Sequence, residues 1–354
     1  MRSVASRAVS SMMKSAFVAS TLLLALAAPC NSAPVVLADT HLKYVKDDKW
    51  PAYQFTSSIG GVVAGESFVW IGQRNHSLPA IAMLDKFSGK LVQSCKFNGT
   101  VGDPHNIGAA SSSSFGKQNL WIADISRHLI HRVSCGPGDG DGKTLEVIGV
   151  PDVAGSSLSP LEFDHVADMD GAGGGSPLFV VDGDGGTNNQ LLKLDAQSHE
   201  VIAHSGNAQG TQPGSFHIPH NVVHDRDTNR VWVADRANMR LQVFSADSLS
   251  MLAVWDCSAM GADGVGRSPF GLAQMPGSHK LAITYVETGG MGGVMFFPDT
   301  TLSAAAIASA APMDAFTTGN NTLPHGISGD YDGKGGVYVA YVTAARVERW
   351  RPLI

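Results

Sequence analysis

The chain has 354 residues, a net charge of −6 and an aromatic content of only 7%. That length allows one large core or two ordinary ones. A mildly acidic chain with no basic block cannot neutralise a run of phosphates, which excludes nucleic acid as a partner. At the N-terminus, Arg2, Arg7 and Lys14 precede an apolar run, AFVASTLLLALAA (16–28), and small residues follow through Ala33. The run is too short to span a bilayer comfortably. It predicts a secretory signal peptide within residues 1–33, cleaved near Ala28 or Ala33, and no stable membrane insertion after its removal. Residues 34–54 then form a lead-in, in which HLKYVKDDKW (41–50) covers a sheet edge. Secretion permits disulfides. Cleavage after Ala33 leaves Cys95, Cys135 and Cys257, with Cys95–Cys135 a candidate bridge whose connectivity spacing alone does not fix. Asn75, Asn98 and Asn320 begin glycosylation triplets.

From residue 55 onward the chain repeats. Six β-prone runs align: VWIGQR (69–74), LWIADI (120–125), LFVVDG (178–183), VWVADR (231–236), LAITYV (281–286) and VYVAYV (337–342), with starts 51, 58, 53, 50 and 56 residues apart. Each follows a Gly/Asp/Ser-rich turn and an earlier apolar run, and most precede a third. Forty glycines suit such turns. A period near 50 with three or four strands per unit predicts an all-β, six-bladed β-propeller over 55–354. One four-stranded sheet cannot bury both faces alone, whereas a ring of sheets can. The apolar run before each aligned motif is then the innermost strand.

Three of those inner runs start with the same pair: DPHNIG with His105, IPHNVV with His220 and LPHGIS with His325. They fall in blades two, four and six, about 120° apart around a six-fold ring. A single Pro-His pair reads as a strand-start motif whose imidazole bonds a neighbouring loop. Three in register on alternate blades converge on the axis, where three imidazoles with an open fourth position suit zinc or another divalent first-row metal. FDHVAD (163–168) puts His165 in the same register, as a fourth ligand, a partner behind the ligands or a channel histidine without metal contact; the last two are preferred. Blade five has Phe270 there. His217 and His224 fall out of register, His224 toward the turn, and the other histidines read as surface or loop residues.

The aligned runs also place Arg74 and Arg236 in one register, three blades apart. Their planar forks suit a carboxylate or a developing oxyanion; the alternative is structural pairing with loop carboxylates of a neighbouring blade. Asp124, Asp182 and Asp235 share the preceding position and are expected to tie turns by accepting backbone N–H groups.

These motifs, above all PHNVVHDRDTNRVWVADRANMRLQVF, resemble NHL-repeat propellers, and more narrowly the peptidyl-α-hydroxyglycine α-amidating lyases. The resemblance implies a zinc ion on the axis held by His105, His220 and His325, with Arg74 and Arg236 as active-site arginines. It implies cleavage of a peptidyl-α-hydroxyglycine, a small peptide with an anionic C-terminus, to a peptide amide and glyoxylate. The chain departs from that family. Asp184 stands where the family has a tyrosine base, so Asp184 or Tyr285 would have to serve. Gly326 replaces an acidic calcium ligand, which leaves calcium without it. Gly185, Trp232 and Val243 stand at disulfide positions. The expectation is a secreted, monomeric, zinc-dependent lyase-like propeller. The main alternative is a non-catalytic secreted NHL-repeat binding module, and a calcium-dependent lactonase-type hydrolase lacks its acidic cluster here.

Overall fold

Each of the six aligned runs forms the second strand of a four-stranded antiparallel sheet, and six such sheets make up the fold. The computed structural model describes residues 44–110, 119–171, 177–195, 197–258 and 264–353. The signal-peptide expectation and Cys30 lie outside these residues. Among the described residues no helix is long and apolar enough to cross a membrane.

The inner strands are Ile59–Ala64, Pro104–Ala109, Val166–Asp170, Pro219–Asp225, Arg267–Gln274 and Pro324–Gly329. Those of blades one and four are buried at every position, as a strand covered on both faces must be. The outermost strands Lys143–Ile148 and Val201–Asn207 alternate instead between covered and exposed residues. Every inner strand shifts register against the second strand near its start: Pro104 pairs with Asp124 and Asn106 with Ala123, for example. Such a bulge re-aims the residue it skips. In blades two, four and six the skipped region contains the histidine of the Pro-His pair.

Six apolar clusters fill the interfaces, one between each neighbouring pair of blades. Trp232, Trp255 and Phe297 anchor the contact of blades four and five, and Trp70, Met83 and Ile122 that of blades one and two. The ring closes between the chain's two ends. Tyr44–Lys46 is the outermost strand of blade six and pairs with Arg346–Pro352. The segment expected to cover an edge therefore does so as a full member of the last sheet, and the propeller begins earlier than the repeat alone indicates. Asp47 reinforces the closure by accepting from the Arg349 guanidinium.

Cys95 and Cys135 form a disulfide, 40 residues apart in sequence, between blades one and two. Cys257 is free and buried. Asn75, Asn98 and Asn320 are all exposed. Closing a loop of this length removes unfolded-chain entropy worth about 2–4 kcal/mol. The double variant Cys95→Ala/Cys135→Ala is therefore expected to lose about 2–4 kcal/mol in a urea titration, and an unchanged midpoint would show that the bridge adds nothing to stability.

Candidate metal centre on the propeller axis

His105, His220 and His325 meet on the axis. One ring nitrogen from each lies within 4.8 Å of the other two. The ring centroids are 4.6–4.9 Å apart and the planes cross at 68–77°, a pinwheel of imidazoles. Each ring is held the same way. His105 Nδ1 lies 2.7 Å from the Ala167 carbonyl oxygen, His220 Nδ1 3.0 Å from that of Phe270, and His325 Nδ1 2.7 Å from that of Gly60. A carbonyl only accepts, so Nδ1 carries a proton in all three rings, and Nε2 keeps its lone pair wherever the ring is neutral.

Burial pushes His220 well below the ordinary imidazole range, helped by Arg236 and His105. His325 is lowered for the same first reason, with His220, His105 and Arg74 adding to it. Both rings are thus neutral ligand-type imidazoles. The residues present fit a first-row metal: neutral nitrogen donors, tautomers fixed by carbonyls behind them, and buried Nε2 atoms of His105 and His220 without a hydrogen-bond partner.

The three carbonyls belong to the residues in the same register of the next blade. Val166 pairs with Asp182 as Pro104 pairs with Asp124, so the register position of blade three is Ala167. This corrects the placement of His165, which lies two residues earlier. His165 has a φ of 63° and a side chain 39% exposed, and its ring packs beside that of His128. The counterparts of Ala167 in blades one and five are Gly60 and Phe270, which likewise serve through their carbonyls.

Asp184 lies beside His105 and His220. Its Oδ2 is 2.7 Å from His105 Nε2 and 3.9 Å from His220 Nε2, while Oδ1 accepts from Arg236 Nη1 at 2.9 Å. The short approach to His105 is poorly aligned for a hydrogen bond. With both ring nitrogens protonated, His105 forms an ion pair with Asp184. Burial by itself would raise the Asp184 carboxyl, but His105, His220 and Arg236 outweigh it and hold the group well below the usual carboxylate range. Arg236 also lies over the Phe270 ring, 4.8 Å from its centroid.

Arg74 pairs bidentately with Asp103, Nε to Oδ1 at 2.9 Å and Nη2 to Oδ2 at 3.2 Å. Both arginines are therefore engaged by carboxylates of neighbouring blades, as their structural reading anticipates. Asp103, two residues before His105, was visible in DPHN as a carboxylate beside the motif; the pairing itself depends on blade contact. Asp124, Asp182 and Asp235 accept backbone N–H groups from Gly102 and Asp103, from Asp164, and from His217 respectively. Tyr285 is turned toward Gly293 in the third strand of its own blade, beneath Arg267. Burial raises its phenol above the ordinary range. His224 lies near the turn end of its strand, packed on Phe179, and lines a cavity of about 750 Å³ along the inner strands. His131 was missed as a core residue: it is buried against Asp124, with Nε2 3.2 Å from Oδ2.

The repeat, the ring of six four-stranded sheets and the axial histidines define an NHL-repeat β-propeller. The NHL repeat family model matches residues 216–244. Human NHL repeat-containing protein 3 is 32% identical over 315 residues, which cover 88% of this chain and 84% of that protein. The chain belongs to the NHL repeat-containing protein 3 family. A Caenorhabditis elegans protein named "Probable peptidyl-alpha-hydroxyglycine alpha-amidating lyase" is 30% identical over 146 residues, 40% of this chain and 37% of that protein. The solved structure of a luciferin-regenerating enzyme matches with a TM-score of 0.56 at 11% identity, covering 88% of this chain and 96% of that one, a likeness of fold.

Gly60 is the tightest point of this arrangement. A Cβ there would come within 2.1 Å of the Pro104 carbonyl oxygen and 2.4 Å of that of His105. Gly60→Ala is expected to destabilise the propeller by roughly 2–3 kcal/mol or more through overpacking, read as a lowered thermal midpoint. An unchanged midpoint would mean that the inner strands of blades one and two separate freely.

Proposed function

We propose that this chain is a secreted, monomeric, metal-bearing propeller, in which His105, His220 and His325 hold a divalent first-row ion, zinc foremost, and the loops act as a binding module. The observation that carries this reading is the convergence of three rings held alike: each Nδ1–H is spent on a carbonyl, and one nitrogen from each comes within 4.8 Å of the other two. The module reading follows from the engagement of both arginines and from the approach of Asp184 to the triad. The similarity to NHL repeat-containing protein 3 over most of both chains agrees with it.

A second reading is cleavage of a peptidyl-α-hydroxyglycine. It is favoured by retention of three histidines with Arg74 and Arg236, and by the partial match to a lyase. Bound zinc would supply Lewis acidity toward a substrate hydroxyl. Arg236 and Arg74 would hold the anionic C-terminus after releasing Asp184 and Asp103. Proton removal is the weak point of that reading. Asp184 is held low and accepts a proton poorly, while Tyr285 faces away from the axis.

Purified secreted protein is expected to hold about one zinc per chain, and His220→Ala to lose it. A wild-type protein that holds no transition metal and takes none up would overturn the proposal. Glyoxylate release from a peptidyl-α-hydroxyglycine is expected to stay at background. Release that disappears in His220→Ala would establish the second reading instead.

A further inference from the structure

We infer that Asn75, Asn98 and Asn320 each carry an N-linked oligosaccharide, and that all three glycans stand on the face of the ring where the Pro-His pairs lie. The inference rests on the secreted part of the reading above and adds the modification and its placement. Each asparagine opens an Asn-X-Ser/Thr triplet, NHS, NGT and NNT, and each is exposed. None of the three Nδ2 amides donates a hydrogen bond to a described residue; Asn75 uses only its Oδ1, which accepts from the Ser77 amide at 2.8 Å. Asparagines that tie the fold together spend that nitrogen: Asn106 donates to Asp168 and Asn188 to Asp182. The acceptor nitrogens are thus ones that the fold leaves free. Close by Asn98, the disulfide of Cys95 belongs to an oxidising compartment, which the secretory route supplies.

The topology gathers the three. Asn75 lies between the second strand of blade one, Phe68–Gln73, and its third, Ile81–Asp85. Asn98 lies between the last strand of blade one, Leu91–Cys95, and the inner strand of blade two. Asn320 ends the last strand of blade five, Met313–Asn320, just before the inner strand of blade six. In antiparallel four-stranded sheets all these connections lie at the end where inner strands start. The Arg74 amide, beside Asn75, accordingly donates to the Ser58 carbonyl at 2.9 Å, next to the start of Ile59–Ala64. The turns at the opposite end, with Glu66, Asp227 and Gly277 lining the cavity of about 750 Å³, contain no triplet. Blades three and four, which supply Asp184 and Arg236, contain none either. A glycan is bulky and hydrated, so a macromolecule meets this protein over blades three and four or on the opposite face. In the transfer, Asn Nδ2 bonds to C1 of the first sugar of a polyprenyl-diphosphate oligosaccharide. The bond from that carbon to the diphosphate breaks, and an amide proton leaves with the lipid diphosphate.

The full chain, expressed in cultured animal cells and recovered from the medium, provides the test. Tryptic peptides are weighed before and after treatment with an N-glycosidase, which leaves aspartate where a glycan stood. Glycopeptides are expected at all three asparagines. Ser77→Ala keeps Asn75 and removes the hydroxyl its triplet needs, at an exposed residue whose own hydroxyl is unbonded in the fold. It is expected to lose the glycan at Asn75 alone. Secreted protein whose peptides at any of the three positions are wholly unmodified would overturn the inference and leave the secreted reading standing, as would a glycan at Asn75 that survives Ser77→Ala. Protein that stays inside the cells without glycans would overturn both.

Discussion

Three hydrogen bonds organise the centre of this molecule: the Nδ1–H of His105, His220 and His325 donated to the carbonyls of Ala167, Phe270 and Gly60. Each bond crosses from one blade to the next, so together they stitch three of the six blade junctions at the axis. The same bonds fix the tautomer that turns Nε2 inward. Packing and chemistry thus depend on one atom per ring. A second tier lies beside them. Asn106 donates to Asp168, which also accepts from the Val222 amide, and Asn221 accepts from the Leu272 amide. Polar side chains replace backbone pairing between blades, where neighbouring inner strands share no ladder.

The electrostatics follow from this geometry. Buried neutral imidazoles create a place where a cation is favoured and a proton is not. Arg236 and Asp184 sit at its edge as a pair. The arginine gains from the Phe270 face, a contact worth about 0.5–2 kcal/mol, and in turn restricts the carboxylate. Arg74 and Asp103 repeat the theme on another blade without a triad nitrogen in their hydrogen bonds.

The architecture was legible from sequence because propeller blades repeat at a fixed period, and strand type follows from burial alone: continuous apolar runs inside, alternation at the rim. The triad was legible because proline marks the pairing position before each histidine. Blade three lacks that proline. Val166 takes its place, and counting from the nearest histidine put His165 two residues out of register. The arginine partners were not legible, since Arg74 reaches Asp103 across 29 residues and Arg236 reaches Asp184 across 52. Such pairings are set by how blades abut, not by any local pattern. His131 was misjudged for a related reason: a lone histidine on a third strand carries no mark of the buried aspartate beside it.

The three histidines come from the second, fourth and last blades, and the last blade is completed by a strand from residues 44–46. A chain cut short before residue 325 carries at most two of the three imidazoles, and a chain that has lost residues 44–46 leaves its final sheet one strand short. The axial pinwheel therefore needs the chain as far as residue 325. Capture of an ion at this point would be a mark of completion, read at the centre of the ring once its second, fourth and last blades are in place.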